Sequence, residues 1–142
     1  MPYLPDSLPF PEPDMDAAEF WEHCRERRLM FQACGDCGVA QHPPLPVCAA
    51  CQSTNRTWVP APTEARVFSY TFAHHASYPA VRDRLPYNVA VIAFPALPGV
   101  KLISNVIGAE PGALSVDAEV ELVWDEGPGG QWLPRFRLFD PP

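Results

Sequence analysis

Cys34-x2-Cys37 and Cys48-x2-Cys51 are two thiolate pairs separated by ten residues. Zn²⁺ takes four ligands at tetrahedral corners, and each Cys-x2-Cys turn offers two sulfurs from one tight knuckle. Two knuckles joined by a short excursion close such a site. Gly35 and Gly38 suit the first knuckle, whose backbone must turn sharply to aim amides at sulfur. Two disulfides are the alternative use of four cysteines, but they need an oxidising compartment. A four-thiolate iron site has the same ligand set, so the spacing leaves iron open beside the expected zinc. Four thiolates saturate the ion. The metal is therefore expected to hold structure together and to leave no corner for water or substrate.

Other reactive side chains form no recognisable catalytic set. There is no Gly-x-Ser-x-Gly, no phosphate-cradling glycine loop and no His-Glu-x-x-His. Cys24 is the one cysteine outside the pairs, and a nucleophilic role would need a nearby base and partial exposure. It falls on an apolar helical stripe, which points to a buried, inert thiol. His23 shares that helix but points away from the stripe. His74 and His75 are adjacent on a strand end, so at most one faces any given pocket, and a general-base role for either is weighed against a partner contact. His42 lies near the knuckles but is not needed as a ligand.

These residues must be positioned by a mainly β chain. Residues 1–13 read as a Pro-rich extended arm, either a loose tail or a segment laid across a partner. Residues 14–30 read as a helix: Asp16 with Glu19 three residues later resembles a capping box, and Ala17, Phe20, Trp21 and Cys24 make one apolar face. Residues 29–33 read as a strand entering the first knuckle. Gln41, His42, Pro43 and Pro44 lead towards the second, stiffened by proline.

From Arg56 onward the pattern is of strands. Residues 56–60 form a short one. Residues 65–74 alternate, with Phe68, Tyr70 and Phe72 on one face and Val67, Ser69 and Thr71 on the other. Residues 88–94 are apolar at nearly every position, as in a strand covered on both faces. Residues 100–107 follow a Pro98-Gly99 turn. Residues 117–124 alternate, with Ala118, Val120, Leu122 and Trp124 inward. Residues 132–139 close the set, Pro134 marking an edge or bulge. About five main strands with short turns predict a five-stranded OB-fold barrel. The expected organisation is an arm and helix over 1–30, a zinc ribbon over 31–56 and the barrel over 57–142. Residues 76–87 form the longest gap between barrel strands, and a loop that long is often functional.

A chain of 142 residues buries roughly 70% of its unfolded surface, enough for a core. No apolar run approaches the ~18 residues of a membrane span. The first ten residues hold three prolines and no positive charge, unlike a secretory signal, so a reducing cytoplasm is expected. The net charge of −7 argues against general nucleic-acid binding. Phe68, Tyr70 and Phe72 nonetheless form a candidate stacking platform for a single strand. Arg66, Arg82, Arg84, Lys101, Arg135 and Arg137 are the cations from which a local anion site could be built.

Taken in order, Phe20-Trp21-Glu22, Leu29, Gln32, Cys34-x2-Cys37-Gly38, Gln41-His42-Pro43-Pro44, Cys48-x2-Cys51, Ser53 and Trp58-Val59-Pro60 form one pattern. Val67-Phe68-Ser69-Tyr70-Thr71, His74, Pro86-Tyr87, Leu102-Ile103-Ser104-Asn105-Val106-Ile107-Gly108 and Val120-Glu121-Leu122 continue it. The chain resembles the zinc-ribbon/OB-fold family of acyl-CoA-associated proteins (domain of unknown function 35), from about residue 17 to 139. The resemblance implies an N-terminal helix, a rubredoxin-like zinc ribbon and a C-terminal OB barrel, with structural zinc.

It further implies a non-catalytic partner of acyl-CoA enzymes, with acyl-CoA as ligand of the complex. The favoured partner is a thiolase-like, lipid-transfer-protein-type aldolase or a thiolase, in a heterotetramer with two copies of each chain and a role in steroid side-chain or fatty-acid degradation. A hot-dog-fold enoyl-CoA hydratase is the alternative partner. Arg82, Arg84, His74 and Tyr87 are the residues expected at the CoA or the partner. Where many relatives carry an acidic-glycine turn, this chain reads Phe94-Pro95-Ala96-Leu97-Pro98-Gly99.

Overall fold

The structure is a computed structural model and describes residues 2–140. Met1 of the arm, and Pro141 and Pro142 of the last segment, lie outside the described residues. After the extended arm, a 3-10 turn (Met15–Ala17) leads into helix α1 (Ala18–Arg25). The helix is shorter than the 14–30 expected. Asp16 does not cap it, and its carboxylate accepts a hydrogen bond from Arg56 at 3.1 Å instead. The helix stops because Arg27 takes φ 55°, with Arg27 N donating to Cys24 O (2.9 Å) and Arg28 N to His23 O (3.0 Å). This is a Schellman ending, and it usually carries glycine. An arginine there gives no stop signal. The apolar stripe is realised: Phe20 and Cys24 are buried and Trp21 packs on the core.

Strands β1 (Met30–Cys34), β2 (Ala40–Gln41) and β3 (Arg56–Pro60) form an antiparallel sheet in the order β2-β1-β3. The strand at 56–60 therefore pairs with the strand that enters the first knuckle. The second sheet holds β4 (Ala65–Ala73), β5 (Tyr87–Ala93), β6 (Lys101–Ser104), β7 (Val106–Ile107), β8 (Glu119–Glu126) and β9 (Trp132–Leu138). Its order is β6-β5-β4-β8-β9-β7, antiparallel throughout except for the parallel β7–β9 pair.

The segment expected as one strand over 100–107 breaks at Asn105. Before the break it pairs with β5, and after it with β9, which closes the barrel. Phe136 N donates to Asn105 O at 3.0 Å, and Asn105 Nδ2 donates to Asn88 O. Pro134 sits where this closure leaves room: it pairs with Trp124 on one side, while β7 reaches only Phe136 and Arg137 on the other. The Pro134 carbonyl accepts from the Ser104 hydroxyl at 2.8 Å.

Three facing patterns differ from expectation, the simplest being β8, where Val120 is buried but Leu122, expected inward, is exposed. The β4–β5 register slips between Val67 and Ser69, so Phe68 is the extra residue of a bulge. The aromatic row is thereby split. Phe68 is exposed beneath Lys101, whose Nζ lies 4.9 Å from the ring centre; Tyr70, opposite Ala90, is also exposed, and Phe72, opposite Asn88, is half-buried. Residues 88–94 are not covered on both faces. Asn88, Ala90 and Ile92 are buried while Val89 and Val91 are half-buried.

Both sheets share one core. Phe31 of β1 meets Phe94 edge-on at 5.0 Å, and Phe94 meets Phe136 of β9 at 6.3 Å. A Cβ on Gly99 would lie 2.7 Å from the Ala40 carbonyl oxygen, so the Pro98-Gly99 turn must be this bare to seat β2. α1 lies against β1 and β9. Among the described residues, no helix is long and apolar enough to cross a membrane.

Candidate metal centre and partner-binding residues

The two knuckles are built alike. Cys34 N donates to Val39 O and Cys48 N to Ser53 O, both at 2.9 Å. Gly38 N returns to Cys34 O at 3.0 Å and Gln52 N to Cys48 O at 2.9 Å. The residue four after the first cysteine is left-handed in each, Gly38 at φ 78° and Gln52 at φ 64°. Gly35 serves a different purpose. Its amide donates to Asn55 O at 2.8 Å, and a Cβ there would meet the Asn55 amide at 2.7 Å.

The four sulfurs lie within 4.8 Å of one another. Cys34–Cys51 and Cys37–Cys48 are each 3.6 Å apart. A tetrahedral site with Zn–S near 2.3 Å requires edges of about 3.8 Å, so the cluster fits zinc. Asp36 N and Cys37 N point at Cys34 Sγ (3.3 and 3.4 Å), and Ala50 N points at Cys48 Sγ (3.4 Å). The amides of Cys37 and Asp36 hold the Cys34 thiol down at about 6, and those of Cys51 and Ala50 lower Cys48. This favours the thiolate a metal needs at Cys34 and Cys48, whereas Cys37 and Cys51, hydrogen-bonded to those sulfurs, are pushed up. Cys34 and Cys48 are buried, and Cys37 and Cys51 face outward.

The excursion between knuckles is held by residues whose sequence signal was weak. Gln32, buried in β1, accepts from Gln41 Nε2 (2.8 Å) and Leu45 N (2.9 Å) and donates to Leu45 O (3.0 Å). Asp36 accepts from Ser53 Oγ and from Asn55 Nδ2. Gln32, Gln41 and Ser53 belong to the pattern read from the sequence, but their bonds, and the part of Asp36 and Asn55, are visible only in the fold.

Cys24 is fully buried, and burial pushes its thiol up to about 12, which makes it inert. His42 is not a ligand. It is wedged 4.8 Å from Phe20 and 5.4 Å from Phe31, and burial depresses it to about 4. His23 stands 5.3 Å from Trp58.

The connection between β4 and β5 brings His74, Arg82, Arg84 and Tyr87 to one end of the barrel, where Tyr87 pairs with Ala73. His74 and Arg82 are exposed. Arg84 is turned to the chain's own arm: its Nη1 donates to Pro2 O (2.9 Å) and Tyr3 O (2.8 Å). The arm therefore lies across the barrel of its own chain. Arg66 is paired with Glu64 at 3.1 Å and Arg137 with Glu121 at 2.6 Å, so these cations do not make a basic groove.

Comparison with known proteins places this geometry among relatives. Residues 21–55 match the family model for the ChsH2 rubredoxin-like zinc ribbon domain, and residues 58–125 match that for the ChsH2 C-terminal OB-fold domain. A solved structure named Ltp2-ChsH2(DUF35) aldolase contains a chain 34% identical, with a TM-score of 0.81 over 91% of this chain and 98% of that one. A DUF35 protein of unknown function from Sulfolobus solfataricus is 22% identical, with a TM-score of 0.64 over 87% of this chain and 85% of that one, and shows the fold alone. A Thermomonospora curvata protein named "Probable enoyl-CoA hydratase alpha subunit" is 35% identical over 129 residues. That match takes in 91% of this chain but spans only 39% of the relative's length.

Proposed function

This chain belongs to the ChsH2 family, and from that membership we propose that it is a non-catalytic accessory subunit of an acyl-CoA-processing complex. The observation that carries this is the 34% identity, over 98% of its length, to a chain of the Ltp2-ChsH2(DUF35) aldolase. The favoured partner is accordingly a thiolase-like aldolase or thiolase, in an assembly with two copies of each chain. Two structural facts support it: sulfur can fill every corner of the metal site, and Cys24 is sealed in the core.

In this reading the partner supplies the reacting groups and this chain shapes or covers the thioester site. The exposed Arg82 and His74, with Tyr87 beside them, are the proposed contacts to the partner or to CoA phosphates. Arg84 acts indirectly by holding the arm. Steroid or fatty acyl thioesters are the proposed substrate class of the complex. A hot-dog-fold hydratase is the second reading, supported by the Thermomonospora relative, although most of that protein lies outside the match. Nucleic acid has less support, given the −7 charge and the split aromatic row.

Co-expression with the thiolase-like enzyme of the same organism tests the proposal. A stable heteromer in size-exclusion chromatography, with thioester cleavage only in the heteromer, is the expected result. Separate elution of the two at micromolar concentration, or turnover by this chain alone, overturns it.

A further inference from the structure

The N-terminal arm crosses the barrel as a strap pinned at two places. Near its start, Tyr3 N donates to Asp125 Oδ2 at 3.3 Å, its hydroxyl accepts from Asn88 N at 3.2 Å, and Arg135 lies 5.6 Å from its ring centre. Further on, Phe10 fills the space that Gly127 leaves: a Cβ on Gly127 would come within 2.3 Å of the ring. Between the pins the arm turns, Leu8 N donating to Pro5 O at 3.1 Å.

Beneath the strap is a cavity of about 570 Å³, within the range of small-molecule sites. Its walls are apolar: Phe20 and Trp21 of α1, Val89 of β5, Leu102 of β6, and Leu133 and Pro134 of β9. Of the two cations at its edge, Arg135 is already paired with an acid. Arg135 is bound to Asp125 at 2.9 Å and to Asn105, and Lys101 donates to Pro98 O at 3.2 Å. Asp6 and Glu126 add negative charge at the wall. A carboxylate or phosphate seated among these walls would have to break the buried Arg135–Asp125 pair and face Asp6 and Glu126.

We propose that the cavity under the strap binds the neutral, apolar part of a small molecule, an alkyl or alicyclic group, with the arm as its cover. The site is formed within this one chain, so it stands or falls independently of the partner enzyme. The cover follows from the sequence: five prolines among residues 2–13 restrict the strap's backbone and make it cheap to order, while Leu4 and Leu8 line its inner side.

The test uses the full zinc-loaded chain and the neutral fluorophore N-phenyl-1-naphthylamine. Saturable one-to-one binding is expected, displaced by 1-decanol and displaced roughly tenfold less well by decanoate at pH 7. Val89→Trp fills the cavity, and Ile103→Trp narrows its mouth from a position that is 72% exposed and so tolerates change. Each variant is expected to weaken the probe by roughly tenfold or more. Tyr3→Ala should quicken both association and release by freeing the strap. The proposal is overturned if the wild-type signal does not saturate, if decanoate competes as well as decanol, or if folded Ile103→Trp binds the probe undiminished.

Discussion

Asn88 and Val106 exchange two hydrogen bonds: Val106 N donates to Asn88 Oδ1 at 2.7 Å, and Asn88 Nδ2 donates to Val106 O at 2.8 Å. A side-chain amide thus stands in for a neighbouring strand where β7 has left β5 to join β9. All four polar groups are removed from water, Asn88 being completely buried. Asn88→Ala leaves both backbone groups of Val106 unpaired and should destabilise the fold by about 2–4 kcal/mol. Urea unfolding measures this, and an unchanged midpoint would show that water replaces the amide.

Gly99 is the point where the ribbon sheet touches the barrel turn. Because the obstructing atom is the backbone oxygen of Ala40, Gly99→Ala cannot be relieved by a rotamer change. A loss of about 1–3 kcal/mol is expected, with the two sheets shifted apart. Amide exchange should rise in both β2 and the 95–100 turn, and a rise in only one of them would contradict the shared contact.

His42 should make stability depend on pH. Its ordinary value is 6.5, and burial holds it at about 4 in the folded chain. Above pH 6.5 both states are neutral there and nothing changes. Below it the unfolded chain takes up the proton first, so stability falls with pH until about 4, by at most about 3 kcal/mol. Thermal melts between pH 7 and 4.5 should show this slope, and His42→Phe should flatten it.

Metal should be stoichiometric and structural. Elemental analysis should find one zinc per chain in the wild type and little in Cys48→Ser. Binding at such sites is worth on the order of 10–16 kcal/mol apparent, so its loss should loosen the knuckles. Phe31 leads from the ribbon into the common core, so the barrel should also melt earlier. A Cys48→Ser chain that melts like the wild type would show the two parts to be uncoupled.

Cysteine spacing, strand alternation and the helical apolar stripe were legible in the sequence because each is a local, periodic pattern. The thiolate cluster, the mainly β barrel and the buried Cys24 were recovered from them. The helix end at Arg27, the bulge at Phe68 and the strand break at Asn105 were not. Each depends on backbone choices that no distinctive residue type announces.

The same divide runs through the site. Four cysteines at that spacing can hardly avoid meeting around one ion, since a knuckle is closed within a few residues. The roles of Arg84, Tyr3 and Gly127 became visible only when segments 80 or more residues apart were brought together. Arg84 read as a free cation for a ligand, and the fold turned it onto the arm. Local chemistry is written in spacing. Long-range pairing is decided by which surfaces the closed barrel leaves for the chain to cover.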